Sequence, residues 1–103
     1  MNLRVLLIDD HTLFRVGLEG LLAHRNIEVI ASIGDSQEGL QRAGELQPDI
    51  VLLEMRMPEI DGIGVLKRLR GSGFKNPIVM LTTSTAERDL AESLPHSAQG
   101  YLP

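Results

Sequence analysis

The chain contains no cysteine. That excludes a disulfide framework, a thiolate metal site and a cysteine nucleophile together. It has no tryptophan, one tyrosine and two phenylalanines, which leaves few aromatic faces for stacking a flavin. Positive charge is also short: ten Lys and Arg stand against fourteen Asp and Glu, giving a net charge of −4 and a pI of about 5.2. Nucleic-acid-binding domains show the opposite balance, so no nucleic-acid contact by this chain is expected. No apolar run approaches the roughly 20 residues of a membrane span. Met1-Asn2-Leu3-Arg4 enters a strand pattern at once, with no room for a signal peptide. The expected location is cytoplasmic, with no membrane partner.

What is present fits a single domain over residues 1–103. Hydrophobic residues make up 43% and charged residues 23%, a composition that sustains a core and does not indicate disorder. The organising stretch is Pro48 to Gly62. There Ile50-Val51-Leu52-Leu53 runs without interruption into Glu54, followed by a loop with Met57-Pro58 and Asp61-Gly62. Such a short aliphatic run bounded by turn residues reads as a strand buried on both faces of a parallel sheet. Glu54 then stands at the carboxyl end of a central strand, the edge at which open α/β sheets bind ligands.

Leu3 to Ile8 repeats the pattern and ends in Asp9-Asp10. A helix follows from His11-Thr12, with Leu13, Phe14, Gly17, Leu18, Leu21 and Leu22 at three- and four-residue spacings and Thr12 or Asp10 as its expected cap. Asn26 breaks that pattern, and Ile27 to Ile33 forms the next strand. Asp35 and Glu38 have capping-box spacing and open a helix that buries Leu40, Ala43 and Leu46 before Pro48 stops it. Beyond the organising stretch, Ile63, Leu66 and Leu69 mark a helix ended by Gly71-Ser72-Gly73, and Ile78 to Leu81 is a further strand leading to Thr82. Ser84 and Glu87 repeat the capping box for a helix that Pro95 ends. Ala98 to Leu102 begins a fifth strand, and the helix that would cover it is expected to be missing.

Strands alternating with helices at this spacing give right-handed βαβ units. The expected fold is α/β: a flavodoxin-like, doubly wound, five-stranded parallel sheet in the order 2-1-3-4-5, with its site at the switch point beside the first strand. Asp9, Asp10 and Glu54 meet there. Three carboxylates on adjacent loops repel one another, and protonation or a bound cation relieves that repulsion. Mg2+ suits the arrangement because it takes one or two carboxylates, keeps waters and leaves room for phosphate oxygens. Thr82, ending the neighbouring strand, offers a hydroxyl to such an oxygen. His11, His24 and His96 are read as solvent-facing or capping residues.

These residues carry a resemblance. Leu7-Ile8-Asp9-Asp10-His11, Pro48 to Pro58 with Asp61-Gly62, Leu81-Thr82 and Gly100-Tyr101-Leu102 resemble the receiver domain of bacterial two-component response regulators. The opening Asp-Asp-His-Thr-Leu-Phe-Arg-Val-Gly-Leu is most similar to the NarL/FixJ (LuxR-type) subfamily, whose members usually join a receiver to a C-terminal helix-turn-helix transcription domain. The resemblance implies a regulatory module in a phosphorelay, not an enzyme, partnered by a sensor histidine kinase and an effector domain beyond this chain, with room for a homodimer. It makes Asp9 and Asp10 Mg2+ ligands, completed by the backbone carbonyl of Arg56, and assigns switch roles to Thr82 and Tyr101. It puts Glu54 where the family has its phosphoacceptor aspartate, and places the family's lysine beyond Pro103.

The Glu54 departure has a physical consequence. One extra methylene carries the carboxylate roughly 1.3 Å further along an extended side chain. A misplacement of about 1 Å costs on the order of a hundredfold in a positioning-dominated phosphoryl transfer. The expectation is a phosphorylation-deficient or phosphomimetic receiver. The alternative is a phosphorylation-independent pseudo-receiver acting as a protein-interaction module. Two other classes fit less well: a flavin-binding electron carrier, disfavoured by the few aromatics, and a metal-dependent phosphohydrolase, disfavoured because adjacent Asp9-Asp10 do not give an Asp-x-Asp spacing.

Overall fold

A computed structural model of the chain describes residues 3–81 and, for the backbone, residues 100–102. The expected fourth helix, with its Ser84 and Glu87 capping box, and Thr82 lie outside the described residues. Within them the order is β1 (Arg4–Ile8), α1 (Thr12–His24), β2 (Glu28–Ile33), α2 (Ser36–Leu46), β3 (Ile50–Glu54), α3 (Gly62–Gly71), β4 (Ile78–Leu81) and β5 (Gly100–Leu102). All strands pair in parallel in the order β2-β1-β3-β4-β5, the expected flavodoxin-like order.

The aliphatic runs become central strands because period-2 alternation sends neighbours to opposite faces, each of which is covered. Leu6, Ile8, Val51 and Leu53 join one buried cluster with Val65, Leu66, Leu69 and Ala43 from α3 and α2. Val5, Leu7, Leu52 and Leu81 form a second cluster on the other face, against which Leu18 and Leu22 of α1 pack. Each fully buried Leu, Ile or Val side chain contributes roughly 1.5–3 kcal/mol.

Helix boundaries follow local chemistry. The Asp35 side chain accepts from the Glu38 backbone N–H at 2.9 Å, so the capping half of the expected box forms. Gln47 ends α2 in the left-handed region, and Gly73, at φ 97°, follows α3. The expected cap of the first helix is corrected. Its N-cap is His11, with no side-chain capping bond, because Asp9, not Asp10 or Thr12, turns back toward this loop. The helix does not bury its apolar positions: none of its residues is buried, and Leu13, Phe14 and Leu21 are exposed. Six apolar positions spread over more arc than one sheet face touches, and only Leu18 and Leu22 reach it.

Candidate functional site

The β1–β3 register pairs Leu7 with Leu52 and Ile8 with Leu53. Continued by one residue beyond β1, it sets Asp9 opposite Glu54 at the carboxyl edge of the sheet. Both are fully buried. Asp9 is held by its backbone, whose N–H donates to the Ile33 carbonyl at the end of β2 at 2.9 Å. The Arg15 guanidinium donates to the Asp9 carbonyl at 2.6 Å, anchoring α1 to the same loop. The Asp9 Oδ1 accepts from the His11 backbone N–H at 2.8 Å. This is an Asx-type turn, which aspartate forms readily two residues ahead of a donor.

Glu54 is fixed similarly. The Met55 N–H donates to the Leu81 carbonyl at 2.8 Å, and Glu54 Oε1 accepts from the Arg56 N–H at 3.1 Å. The loop then returns tightly, with the Gly62 N–H donating to the Met55 carbonyl at 2.8 Å. A Cβ at residue 62 would collide with the Glu54 carbonyl oxygen and come within 2.7 Å of Met55 Cα, so only glycine lets α3 start here. Asp61 caps that helix, its Oδ1 accepting from the Gly64 N–H at 2.8 Å. Ser36, buried in α2, donates to the Ile60 carbonyl at 2.5 Å and pins the far side of the loop, where Glu59 takes a left-handed φ of 66°.

The electrostatics are those of a desolvated acidic pocket. Burial pushes the Glu54 carboxyl above its ordinary value; the Arg56 N–H pulls it back, and the charge of Asp9 pushes it up again. Three buried oxygens, Asp9 Oδ2, Asp10 Oδ1 and Glu54 Oε2, have no hydrogen-bond partner. Desolvated carboxylate oxygens without donors are costly, and a divalent cation supplies what they lack, so the residues present fit a hard, oxygen-liking ion such as Mg2+. Beside them an open cleft of about 500 Å³ is lined by Asp10, His11, Arg56, Met57, Pro58 and Asp61.

The sequence-expected residues are thus brought together unequally. Asp9 and Glu54 each offer a ligand atom within 4.8 Å of the other, and the third member of that group is His11 rather than Asp10. Asp10 stands at the margin, its Oδ1 lying 3.3 Å from His11 Nδ1. Arg56 contributes its backbone N–H to Glu54. Tyr101 pairs with Met80 through β5, its side chain lying outside the described residues. His11, read from sequence as solvent-facing or capping, has its ring half exposed but turned onto Asp9, with Nδ1 at 3.2 Å from Asp9 Oδ1. The signal available in sequence was its position two residues after an aspartate at a strand end, where an Asx turn folds the chain back.

A parallel sheet in this order, with a carboxylate pocket at its carboxyl edge beside the switch point, defines the class: a flavodoxin-like domain built around an acidic site. The chain belongs to the response regulator receiver domain family, whose model matches residues 5–103. Among relatives, it is 39% identical to the nitrate/nitrite response regulator protein homolog of Haemophilus influenzae over 98% of this chain and 49% of that protein. It is 34% identical to the nitrate/nitrite response regulator protein NarL of Escherichia coli over 95% and 46%, and 38% identical to the transcriptional regulatory protein LnrK of Bacillus subtilis over 97% and 46%. The chain therefore spans about half the length of these relatives. Among solved structures, the signal receiver domain of the response regulator NarL from Mycobacterium tuberculosis superposes with a TM-score of 0.91 at 27% identity, covering 98% of this chain and 82% of that one. The chain is the receiver domain of a NarL-type two-component response regulator, a regulatory module. No described helix is long and apolar enough to cross a membrane.

Proposed function

We propose that this receiver holds Mg2+ in a pocket formed by Asp9, Asp10, Glu54 and the Arg56 backbone carbonyl, and that Glu54 stands at the phosphoacceptor position. In this reading the domain is deficient in phosphoryl transfer and its output is biased by the fixed carboxylate. When bound, Mg2+ neutralises carboxylate charge and binds phosphate oxygens. The chain's own residues do the rest: the Arg56 N–H orients Glu54, and the Asx turn at Asp9 orients the neighbouring acid. Thr82 and Tyr101 are the residues that pass the state of the pocket to the output partner. A sensor histidine kinase is the donor partner, and a C-terminal helix-turn-helix domain beyond residue 103 is the output. The printed names of the NarL and LnrK relatives, a response regulator and a transcriptional regulator, support that assignment by similarity.

The observation that carries the reading is Glu54 itself: a buried carboxylate at the end of β3, one oxygen held by the Arg56 N–H and the other without a partner. Its charge is one unit over two oxygens, against −1.5 to −2 over three for a phosphoryl group, so the imitation of an activated acceptor is partial. The test is intact-mass analysis after incubation with Mg2+ and phosphoramidate, on the natural chain and on Glu54→Asp, each extended past the family's lysine position. Expected is no phosphoryl adduct on the natural chain and one on the variant. Failure of the variant to gain it would remove Glu54 from the acceptor position, and equal labelling of both would remove the deficiency.

A further inference from the structure

His11 is the feature of the pocket that the receiver reading leaves unused. Its ring lies against the acids, with Nδ1 at 3.2 Å from Asp9 Oδ1 and 3.3 Å from Asp10 Oδ1. One ligand atom from each of His11, Asp9 and Glu54 falls within 4.8 Å of the others. A cluster of acids alone would say little, since acidic groups often cluster without an ion. Here two of the three ligand residues are fully buried, and each keeps an oxygen that no hydrogen bond satisfies, Asp9 Oδ2 and Glu54 Oε2. With the imidazole, these two carboxylates form a mixed nitrogen and oxygen donor set.

We propose that His11 Nδ1 joins Asp9 and Glu54 as a metal ligand, so that the pocket takes a first-row transition cation such as Zn2+ through a nitrogen donor that Mg2+ does not use. The inference rests on the reading that the pocket binds a divalent cation and adds a donor that lets it take a transition cation as well as Mg2+. Mg2+ is hard, holds its waters and seeks oxygen, whereas imidazole suits Zn2+, Ni2+, Cu2+ and iron. Ligation through Nδ1 leaves the ring proton on Nε2, and the half-exposed ring lets water accept it. The backbone supports the geometry independently of the ring, because the Asx turn that brings residue 11 back to Asp9 is closed by the residue 11 main-chain N–H. Replacing the imidazole therefore deletes the nitrogen donor and leaves the turn that orients Asp9.

The experiment is calorimetric titration of the natural chain and of His11→Ala with Mg2+ and, separately, Zn2+, paired with long-range proton–nitrogen NMR of the imidazoles on adding Zn2+. The expected result is that His11→Ala weakens Zn2+ at least tenfold while the Mg2+ affinity stays within about twofold. The nitrogen resonance of His11 also shifts to the metal-bound range. Equal loss of both metals would overturn the proposal, since His11 would then only position the carboxylates. Unchanged Zn2+ affinity with Mg2+ still bound would overturn it too, while leaving the Mg2+ pocket intact. Absence of binding by either metal in the natural chain would remove the metal site altogether, together with this inference.

Discussion

Glu54 is fully buried, faces Asp9 and keeps one oxygen unpartnered. Its folded-state value lies above its ordinary 4.5, so between those two values the folded protein binds more protons than the unfolded chain. Stability from this group is therefore present at low pH and is lost as pH rises through the raised value. In metal-free protein, Glu54→Gln is expected to raise unfolding free energy at neutral pH by on the order of 1 kcal/mol. The amide keeps an oxygen for the Arg56 N–H and carries no charge. The gain should shrink to nothing as pH falls below the ordinary glutamate value, and chemical denaturation at several pH values checks both limbs. A gain that stayed constant with pH would mean that packing, not charge, is responsible. Asp9 and Glu54 were legible in the sequence as partners because each directly follows an aliphatic strand. His11 was not, because its type gives no direction; only the Asx turn aims the ring.

At the scale of the element, the loop from Met55 to Asp61 is closed by the Gly62 N–H on the Met55 carbonyl and gripped by the Ser36 side chain. Gly62 lets α3 begin against the Glu54 carbonyl, and Ser36 of α2 grips the Ile60 carbonyl. A Cβ at residue 62 meets main-chain atoms rather than a flexible side chain. Gly62→Ala is thus expected to destabilise the fold by roughly 1–3 kcal/mol. It should also shift the amide resonances of Met55 and Arg56, which two-dimensional NMR would register. Wild-type stability with unmoved resonances would show that the helix start relocates at no cost. The Asp-Gly pair was visible as a turn signal, and so was the helix after it. The reason for glycine was not, since it is an approach of two segments rather than a turn angle. The same limit applies to α1: its spacing gave the helix, but the sheet decided that Leu18 and Leu22 alone would dock while Leu13, at 87% exposure, stays in water.

For the molecule as a whole, the sheet order makes β1 and β3 interior strands, paired on both sides, whereas β2 is paired only on the side of β1. Opening free energies rise with buried contacts and with pairing on both edges. The amides of Leu6 to Ile8 and of Val51 to Leu53 are expected to be the slowest to exchange with deuterated solvent, with those of β2 at least tenfold faster. Exchange that is uniform over the sheet would mean that it opens as one cooperative unit. The order also explains why the site is where it is. The chain steps one way from β1 to β2, crosses back over β1 to β3 and then steps the other way to β4, and the β1 and β3 carboxylates face the open edge where that direction reverses.

The sequence by itself determined the elements and their class. Aliphatic runs ending in acids, helical spacings between them and punctuation by Asn26, Pro48 and Gly73 admit little besides a parallel α/β sheet, and the motif at Asp9-Asp10, Pro48 to Pro58 and Asp61-Gly62 carries the family resemblance. Tertiary structure decided which acids are close enough to share an ion. Asp9 meets Glu54 through strand register, Asp10 is left at the margin, and His11 takes the third place in the group. The physical reason is that periodicity and turn chemistry are local, acting over a few residues. A ligand set joins atoms from separate strands, and only their pairing fixes the distances between them.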